Sequence, residues 1–454
     1  MKPIASFFHH PYNPPVSRLP LLRLTAIIAA LIPLPAIAAP SSLTYTFNHH
    51  IISVSVAAHP EWWRMKRVWE FQGMEALPPA RLQTCGTTEL DAPGWTSTLV
   101  RQWDDASISR TIEEEVASKI DRPAGNVTIA KNASGTVIFD GIGLTGQTVD
   151  VIAATRLTIR ALTDDVSTIV LPVEVSQPQI TVKDTELEQM GIKEVVTIGE
   201  SVFTKSPVNR RHNIKVGLAR FNGHIIPQDS VFSFDETLGP VNDRTGYRKE
   251  LVIQGDTTIP DYGGGLCQVS TTAFRGPWEY GMPIVQRKNH SYAVSYYSPQ
   301  GTDATVYPPN VDLKFKNDTP GALLIQTFSD DQDRAFFIYY GTRDERKSEV
   351  FGPYISDREA APTTERTIYT SELAPGEKRK AGERHDGMKA VWYRSTQLAN
   401  TGATLERFFS AYEARPLTWQ IGIGATGNTS GAADTPAWLP ERTRTKRSSS
   451  DTSD

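Results

Sequence analysis

In the first third of the chain, the spacing of hydrophobic residues changes between the spacing typical of helices and that typical of strands, which predicts a succession of both. Ser107 is a capping residue before a predicted helix over 107–120. Short apolar runs at 126–129 and 136–139 predict two strands joined by a turn. Helical spacing returns over 150–162, and a strand-like run follows at 169–175. This order predicts a compact α+β unit.

Strand-like alternation dominates the middle of the chain. Polar and apolar residues alternate at 230–234 and 313–316, and two apolar runs at 323–328 and 335–340 predict a hairpin. Short β runs separated by turn residues continue over 345–424. We therefore expect an α+β, multidomain, β-rich protein.

The length of 454 residues exceeds one ordinary core, so we expect several domains. Polar stretches and changes of pattern place their boundaries. The predicted units are a signal peptide or N-terminal anchor at 1–39, an α+β region at 43–182, a third unit at 195–342, a small β-rich, glycine-containing domain at 345–424 and a disordered tail at 425–454.

The N-terminus has the order of a secretory signal. Arg18 and Arg23 precede a short apolar run at 24–32, and Ala36-Ile37-Ala38 follows. Basic, apolar and small-residue segments in this order predict export, with a mature chain that begins near Ala39. The alternative is an uncleaved anchor, and both place the remaining chain outside the cytoplasm.

Composition narrows the chemistry. The net charge is −4 and no basic stripe with interleaved aromatics occurs, so we predict no nucleic-acid partner. Two cysteines, Cys85 and Cys267, do not make a disulfide scaffold, although they remain able to pair. Histidines near the N-terminus, such as His49 and His50, lack a convincing set of further metal ligands close to them in the sequence. We expect neither a metal nor a cofactor.

Cys267 is the strongest candidate for chemistry because it directly follows three glycines, whereas Cys85 lies in an ordinary stretch. Helix-compatible residues follow Cys267, which places it at a predicted helix N-terminus where the thiol pKa falls. Its own N–H and a neighbouring one would then form an oxyanion hole. Gly276-Pro277 predicts an early stop or kink in this helix. The structural alternative is a small buried residue beside a glycine turn.

A nucleophilic cysteine needs a base, and His290 is the histidine downstream within the same unit. A β-prone run at 291–297 places His290 at the start of a predicted strand, and Asp303 follows in a polar turn. We therefore predict Cys267, His290 and Asp303 as catalytic residues. A structural histidine and a simple turn aspartate remain alternatives, and His212 is a second base candidate.

Several motifs in one order over about 209–320 resemble the VanW family. They are Asn222-Gly223, Ser230–Phe234, Gly239-Pro240, Gly246-Tyr247, Gly263–Thr272, Arg287 with His290-Ser291, and Gly301–Val306. The unit before them resembles a peptidoglycan-binding domain found upstream of cell-wall transpeptidase domains. Residues 365–422 resemble a small glycine-rich β domain of cell-wall enzymes.

The resemblance implies a cell-envelope protein that acts on peptidoglycan stem peptides by cysteine-dependent acyl transfer of the L,D-transpeptidase type. The alternative is a non-catalytic protein that binds peptidoglycan or a precursor, linked to glycopeptide resistance. Arg287 is either solvated or receives a stem-peptide carboxylate. The predicted substrate-binding or oxyanion residues are Gly264, Gly265, Gln268, Ser270, Arg287 and Ser291.

Overall fold

A computed structural model describes residues 40–77, 94–254, 257–371, 373–399 and 402–423. The predicted signal or anchor, Cys85 and the predicted tail lie outside these residues. The described chain is strand-rich and forms several separate sheets, in agreement with an α+β, β-rich, multidomain fold. Within it, no helix is long and apolar enough to cross a membrane.

The N-terminal region combines small sheets with two helices. Its elements are β1 (Ser42–Phe47), β2 (His50–Ser55), β3 (Trp63–Phe71), β4 (Met74–Glu75), β5 (Trp95–Trp103), α1 (Asp105–Thr111), β6 (Val127–Lys131), β7 (Val137–Gly141), β8 (Gly146–Val149), α2 (Val151–Thr163), β9 (Thr168–Val170), β10 (Val173–Ser176) and β11 (Ile180–Val182). The sheets have the orders β2-β1-β9, β10-β8, β11-β6-β7 and β4-β3-β5. The helices and strands predicted between 107 and 175 are present in the predicted order, but an unpredicted strand, β8, precedes α2, and the last predicted strand is divided into β9 and β10.

The central region is built around an antiparallel sheet with the order β12-β20-β19-β13. Its elements are α3 (Thr185–Gln189), β12 (Glu194–Val202), α4 (Val208–Phe221), β13 (Ile225–Ile226), β14 (Val231–Ser233), α5 (Phe234–Leu238), β15 (Lys249–Gln254), β16 (Thr257–Tyr262), α6 (Leu266–Tyr280), β17 (Ile284–Gln286), β18 (Lys314–Lys316), β19 (Leu323–Ser329) and β20 (Arg334–Gly341). The predicted hairpin is confirmed as β19 and β20, and α6 packs against β12 and β20.

The C-terminal region forms two three-stranded sheets, β21-β24-β25 and β22-β26-β23. Its strands are β21 (Lys347–Glu359), β22 (Arg366–Thr370), β23 (Lys378–Gly382), β24 (Gly387–Gln397), β25 (Thr404–Tyr412) and β26 (Thr418–Gly422). Trp392 of β24 packs edge-on against Trp278 of α6, with ring centroids 5.4 Å apart. This region therefore packs against the helix that carries Cys267.

Of the stop or kink predicted at Gly276-Pro277, the stop does not occur, because helix α6 continues to Tyr280. Proline lacks the N–H that would bond to the carbonyl of residue i−4. The buried hydroxyl of Tyr339 in β20 donates to the carbonyl oxygen of Ala273 instead, at 2.7 Å. Gly276 lies so close to β12 that an added Cβ would be 2.7 Å from the backbone nitrogen of Gly199. Contacts with the sheet therefore hold a helix that the local sequence alone would end.

The predicted strand at 291–297 is also wrong. These residues form an irregular segment that ends in a 3-10 turn at Ser295–Tyr297, so His290 lies in a loop after β17. The ring of Tyr297 stacks on the His290 ring, with centroids 4.3 Å apart. The backbone N–H of Glu413 donates to the carbonyl of Ser291 at 2.7 Å. Contacts with a ring and with the C-terminal region thus replace sheet pairing in this segment.

The three regions share hydrophobic cores. One cluster joins Val127 and Ile129 to Phe336 and Ile338 of the central sheet. Another joins α4 and α6 to Trp392 of the C-terminal region. The predicted boundaries at 182–195 and 342–345 stay predictions, and the units on either side are in contact.

Candidate functional site

The N-terminal end of α6 positions the Cys267 thiol. Gly265 precedes the helix with φ +113°, a left-handed conformation that favours glycine. Cys267 is the second residue of the helix and is partly exposed, and its Sγ lies 3.5 Å from Thr305 Oγ1. The thiol is therefore located where the helix dipole favours an anion.

The backbone N–H of Cys267 has no hydrogen-bond acceptor among the described residues. It is available to an oxygen that develops negative charge beside the sulfur. The neighbouring N–H groups differ from the expectation, because Leu266 donates to Gly263 and Gln268 donates to Gly265. A second donor to the oxyanion must therefore be a group other than the N–H of Leu266 or Gln268.

His290 lies between Cys267 and Asp303. Its Nδ1 is 2.6 Å from Asp303 Oδ2, and its backbone N–H donates to the same oxygen at 2.7 Å. Both side chains are buried. Because Asp303 is an acceptor when ionised, Nδ1 carries a proton and Nε2 is left to face the thiol. The three residues predicted from separate segments are thus brought together.

The pKa values of this group are coupled. Burial opposes ionisation of Cys267, but the close, positively charged His290 together with Thr305 lowers its pKa to about 7. Burial also disfavours the charged form of His290, yet the hydrogen bond to Asp303 and the close Cys267 thiolate raise its pKa to about 9. Burial would raise the pKa of Asp303, but its bonds to His290 and the charge of Arg287 lower it well below its usual range.

The order of these pKa values favours a thiolate beside an imidazolium near neutral pH. His290 Nε2 is buried and makes no hydrogen bond of regular geometry with another described residue. Its effect on Cys267 is therefore that of a close neighbour rather than of a well-aligned donor. Such contacts commonly tighten only when substrate is bound.

The comparisons with known proteins cover the segment that holds this group. Residues 209–339 match the family model described as "VanW like protein". These residues form a VanW-like domain. The protein named "Uncharacterized protein YoaR" of Bacillus subtilis (strain 168) is 34% identical over 124 residues, which are 27% of this chain and 41% of that protein. The "Vancomycin B-type resistance protein VanW" of Enterococcus faecalis (strain ATCC 700802 / V583) is 29% identical over 129 residues, 27% of this chain and 46% of that protein. Each match therefore spans less than half of the relative's length.

Four of the predicted substrate-binding or oxyanion residues, Gly264, Gln268, Ser270 and Arg287, make hydrogen bonds within the protein. Gly264 is buried and its carbonyl accepts from Asn213 Nδ2 at 3.0 Å. Gln268 is fully buried and accepts from Arg210 Nη2 at 2.9 Å. Ser270 is fully buried and donates to the Ala304 carbonyl at 2.5 Å. The polar side chains that follow Cys267 in the helix are therefore buried and hydrogen-bonded within the protein.

Arg287 is neither solvated nor open to a substrate carboxylate. Its side chain is 6% exposed and its Nη2 lies 3.1 Å from Asp303 Oδ1. Its Nε donates to the Asp303 carbonyl at 2.6 Å, and its Nη1 donates to Ser410 Oγ at 2.8 Å. Arg287 therefore positions Asp303. Gly265 and Ser291 remain partly exposed near the thiol segment, and their predicted contact with substrate stays a prediction.

Three residues that contact the site, Thr305, Tyr297 and Tyr412, were not among the predicted site residues. Thr305 lies within the Gly301–Val306 motif, so its closeness to Asp303 in the sequence was a usable signal. Tyr297 stacks on His290, and burial raises its pKa. The hydroxyl of Tyr412 lies 2.5 Å from Asp303 Oδ1 although 109 residues separate them. Nothing in the residue pattern indicates that contact.

The rim of the site joins the VanW-like domain to the C-terminal region. The ring of Tyr292 lies 4.5 Å from that of His385, and the Arg415 guanidinium lies over Tyr292 at 5.4 Å. Burial raises the pKa of Tyr292, the positive charge of Arg415 lowers it, and the charge of Cys267 adds to the rise.

Across the described residues, no group of three or more His, Cys, Asp or Glu side chains could hold a metal ion.

Proposed function

We propose that this is an exported cell-envelope protein that acts on peptidoglycan stem peptides by cysteine-dependent acyl transfer of the L,D-transpeptidase type. The observation that carries the proposal is the Cys267, His290 and Asp303 arrangement, with the thiol in the first turn of a helix. Nucleophile, base and orienting carboxylate in this order are what acyl transfer through a thioester requires. The basic, apolar and small-residue order of the N-terminus supports export.

In the first step, the Cys267 thiolate attacks the carbonyl carbon of a diamino acid within the stem peptide. A C–S bond forms, the C–N bond to the terminal D-residue breaks, and His290 gives its proton to the departing amine. The free N–H of Cys267 faces the oxygen that becomes negative in the tetrahedral intermediate. A thioester and a free D-amino acid result.

In the second step, a side-chain amine of a neighbouring stem attacks the thioester. His290 accepts the proton of that amine, the new C–N bond forms, and the C–S bond breaks to return the thiolate. Water in place of the amine gives hydrolysis. Asp303 remains ionised throughout and keeps Nδ1 of His290 protonated, so Nε2 is the atom that exchanges protons.

Intact-protein mass spectrometry at short times after addition of a purified stem tetrapeptide tests the proposal. We expect an adduct with the mass of the tripeptide acyl group on the wild type and on Cys85→Ser. Cys267→Ser should form none and lose acyl transfer by several orders of magnitude, because a hydroxyl is a far poorer nucleophile near neutral pH. The Cys85→Ser variant is the matched control.

A second candidate function is non-catalytic binding of peptidoglycan or a precursor. It is favoured by the relative whose name records vancomycin resistance rather than an enzymatic activity. Binding alone predicts that stem peptide associates equally with wild type and Cys267→Ser and that no adduct forms. Absence of an adduct on folded protein that binds the tetrapeptide would refute acyl transfer.

A further inference from the structure

Strand β25 of the C-terminal region reaches the buried carboxylate of the candidate site. Tyr412, the last residue of β25, donates its hydroxyl hydrogen to Asp303 Oδ1 and accepts the Gly301 N–H at 2.7 Å. Tyr412 lies outside the matched residues 209–339. The phenol is buried, and burial followed by the charge of Asp303 raises its pKa, so it stays a neutral donor.

The two oxygens of Asp303 have separate sets of donors. Oδ2 receives the backbone N–H and the Nδ1 proton of His290. Oδ1 receives Arg287 Nη2 and the Tyr412 hydroxyl. With Oδ1 occupied, the carboxylate plane is fixed and Oδ2 points at the imidazole.

The second donor to Oδ1 also depends on β25. Arg287 Nη1 donates to Ser410 Oγ, and Ser410 is fully buried two residues before Tyr412. Alternate residues of a strand share one face, so Ser410 and Tyr412 both face the site. Asn289, next to His290, also donates from Nδ2 to the carbonyl of Ala411 at 2.7 Å.

We infer that Tyr412 is a positioning residue for His290 and Cys267, and that the functional unit is the VanW-like domain together with the C-terminal region. Tyr412 acts through Asp303 and does not touch reacting atoms. Its role in catalysis rests on the proposed acyl transfer. Its role in orienting the Cys267, His290 and Asp303 group does not depend on acyl transfer, and the alkylation rate of Cys267 measures it separately.

The test is the rate of alkylation of Cys267 by iodoacetamide between pH 5 and pH 9, in full-length Cys85→Ser protein. Loss of the Tyr412 hydroxyl in Tyr412→Phe lets Asp303 turn away from His290, which weakens the imidazolium beside the thiol. We expect the midpoint of the profile to rise, with a fall in rate at pH 6 of about threefold to tenfold, as a rise of half to one pKa unit gives. Ser410→Ala should shift it in the same direction by less.

The matched control is Tyr369→Phe, which removes a hydroxyl from the same region at a residue that is 65% exposed. Its profile should overlay the parent profile. A merely structural role for Tyr412 would lower the melting temperature without moving the profile. Unshifted or downshifted midpoints in Tyr412→Phe and Ser410→Ala overturn the inference, and Ser410→Ala decides alone if Tyr412→Phe does not fold.

The outcome is separable from that of the proposed function. A raised midpoint in a protein whose parent forms no acyl adduct would refute acyl transfer and leave the positioning role standing. An unchanged midpoint in a protein whose parent forms the adduct would refute the positioning role and leave acyl transfer standing.

Discussion

At the scale of single residues, the pKa of the Cys267 thiol depends on one buried histidine. The thiol pKa of about 7 lies below the imidazole pKa of about 9, so the thiolate and imidazolium coexist between these pH values. Burial works against both charges, and for His290 it is outweighed only by the combined effects of Asp303 and the neighbouring Cys267 thiolate. The ion pair is therefore a product of three side chains rather than of Cys267 alone.

Replacement of His290 should separate these contributions. In His290→Ala, burial remains while the imidazolium is lost, so we expect the pKa of Cys267 to rise above about 7 toward or beyond its ordinary value. The midpoint of alkylation against pH should rise accordingly, and the proposed acyl transfer should fall on the order of 10²–10⁴-fold. His212→Ala is the matched control, since His212 bonds to the Gly246 carbonyl away from the site. A midpoint that does not move would remove His290 from the site.

At the scale of elements, helix α6 continues through Pro277, and the Tyr339 hydroxyl of β20 compensates for the missing donor. Tyr339→Phe should leave the buried Ala273 carbonyl without a partner, since residue 277 has no N–H. We expect the free energy of unfolding to fall by about 1–3 kcal/mol. Denaturant unfolding of the variant measures this change.

The double variant Tyr339→Phe with Pro277→Ala provides the control, because alanine at 277 restores an N–H that can bond to Ala273. We expect the cost of Tyr339→Phe to be smaller in the Pro277→Ala background than in the wild type. Equal costs in both backgrounds would show that the hydroxyl does not substitute for the missing helix bond.

At the scale of the whole molecule, the β1–β2 turn of the N-terminal region contacts the C-terminal end of α6. His49 donates its backbone N–H to Glu279 Oε1 at 2.9 Å, and its Nδ1 lies 2.5 Å from the same oxygen. Burial raises the pKa of Glu279 to about 7 and lowers that of His49 well below its usual value. The contact is thus a neutral hydrogen-bonded pair below pH 7.

This pair should make stability depend on pH in a defined direction. Because the pKa of Glu279 is higher in the folded protein than in the unfolded chain, protonated Glu279 stabilises the folded state. This stabilisation is fully present below about pH 4.5 and is lost as the pH rises through about 7. The melting temperature of the wild type relative to Glu279→Gln should therefore fall between pH 4.5 and pH 7. The neighbouring groups His50, Glu200, Arg122 and Arg275 are present in both proteins, so the difference reports Glu279 together with its coupling to groups such as His50.

Glu114→Gln, on an exposed position of the N-terminal region, is the control and should follow the wild type across this range. A constant difference between wild type and Glu279→Gln at all pH values would show that burial does not perturb Glu279.

The sequence by itself determined the alternation of elements, the central hairpin and the choice of Cys267, His290 and Asp303. Each of these depends on local information: the period of apolar residues, the turn residues between them, and a thiol directly after three glycines. The family motifs lie in the same short stretches, which is why a match over 209–339 agrees with them.

Only the tertiary structure determined that the helix continues through Pro277 and that Arg287 and Tyr412 contact Asp303. The hydroxyl of Tyr339 lets α6 continue past Pro277, the carboxylate of Asp303 draws Arg287 inward, and strand β25 delivers Tyr412 across 109 residues of chain. Each outcome depends on a buried polar group that must find a partner, and the partner is chosen by packing rather than by sequence distance.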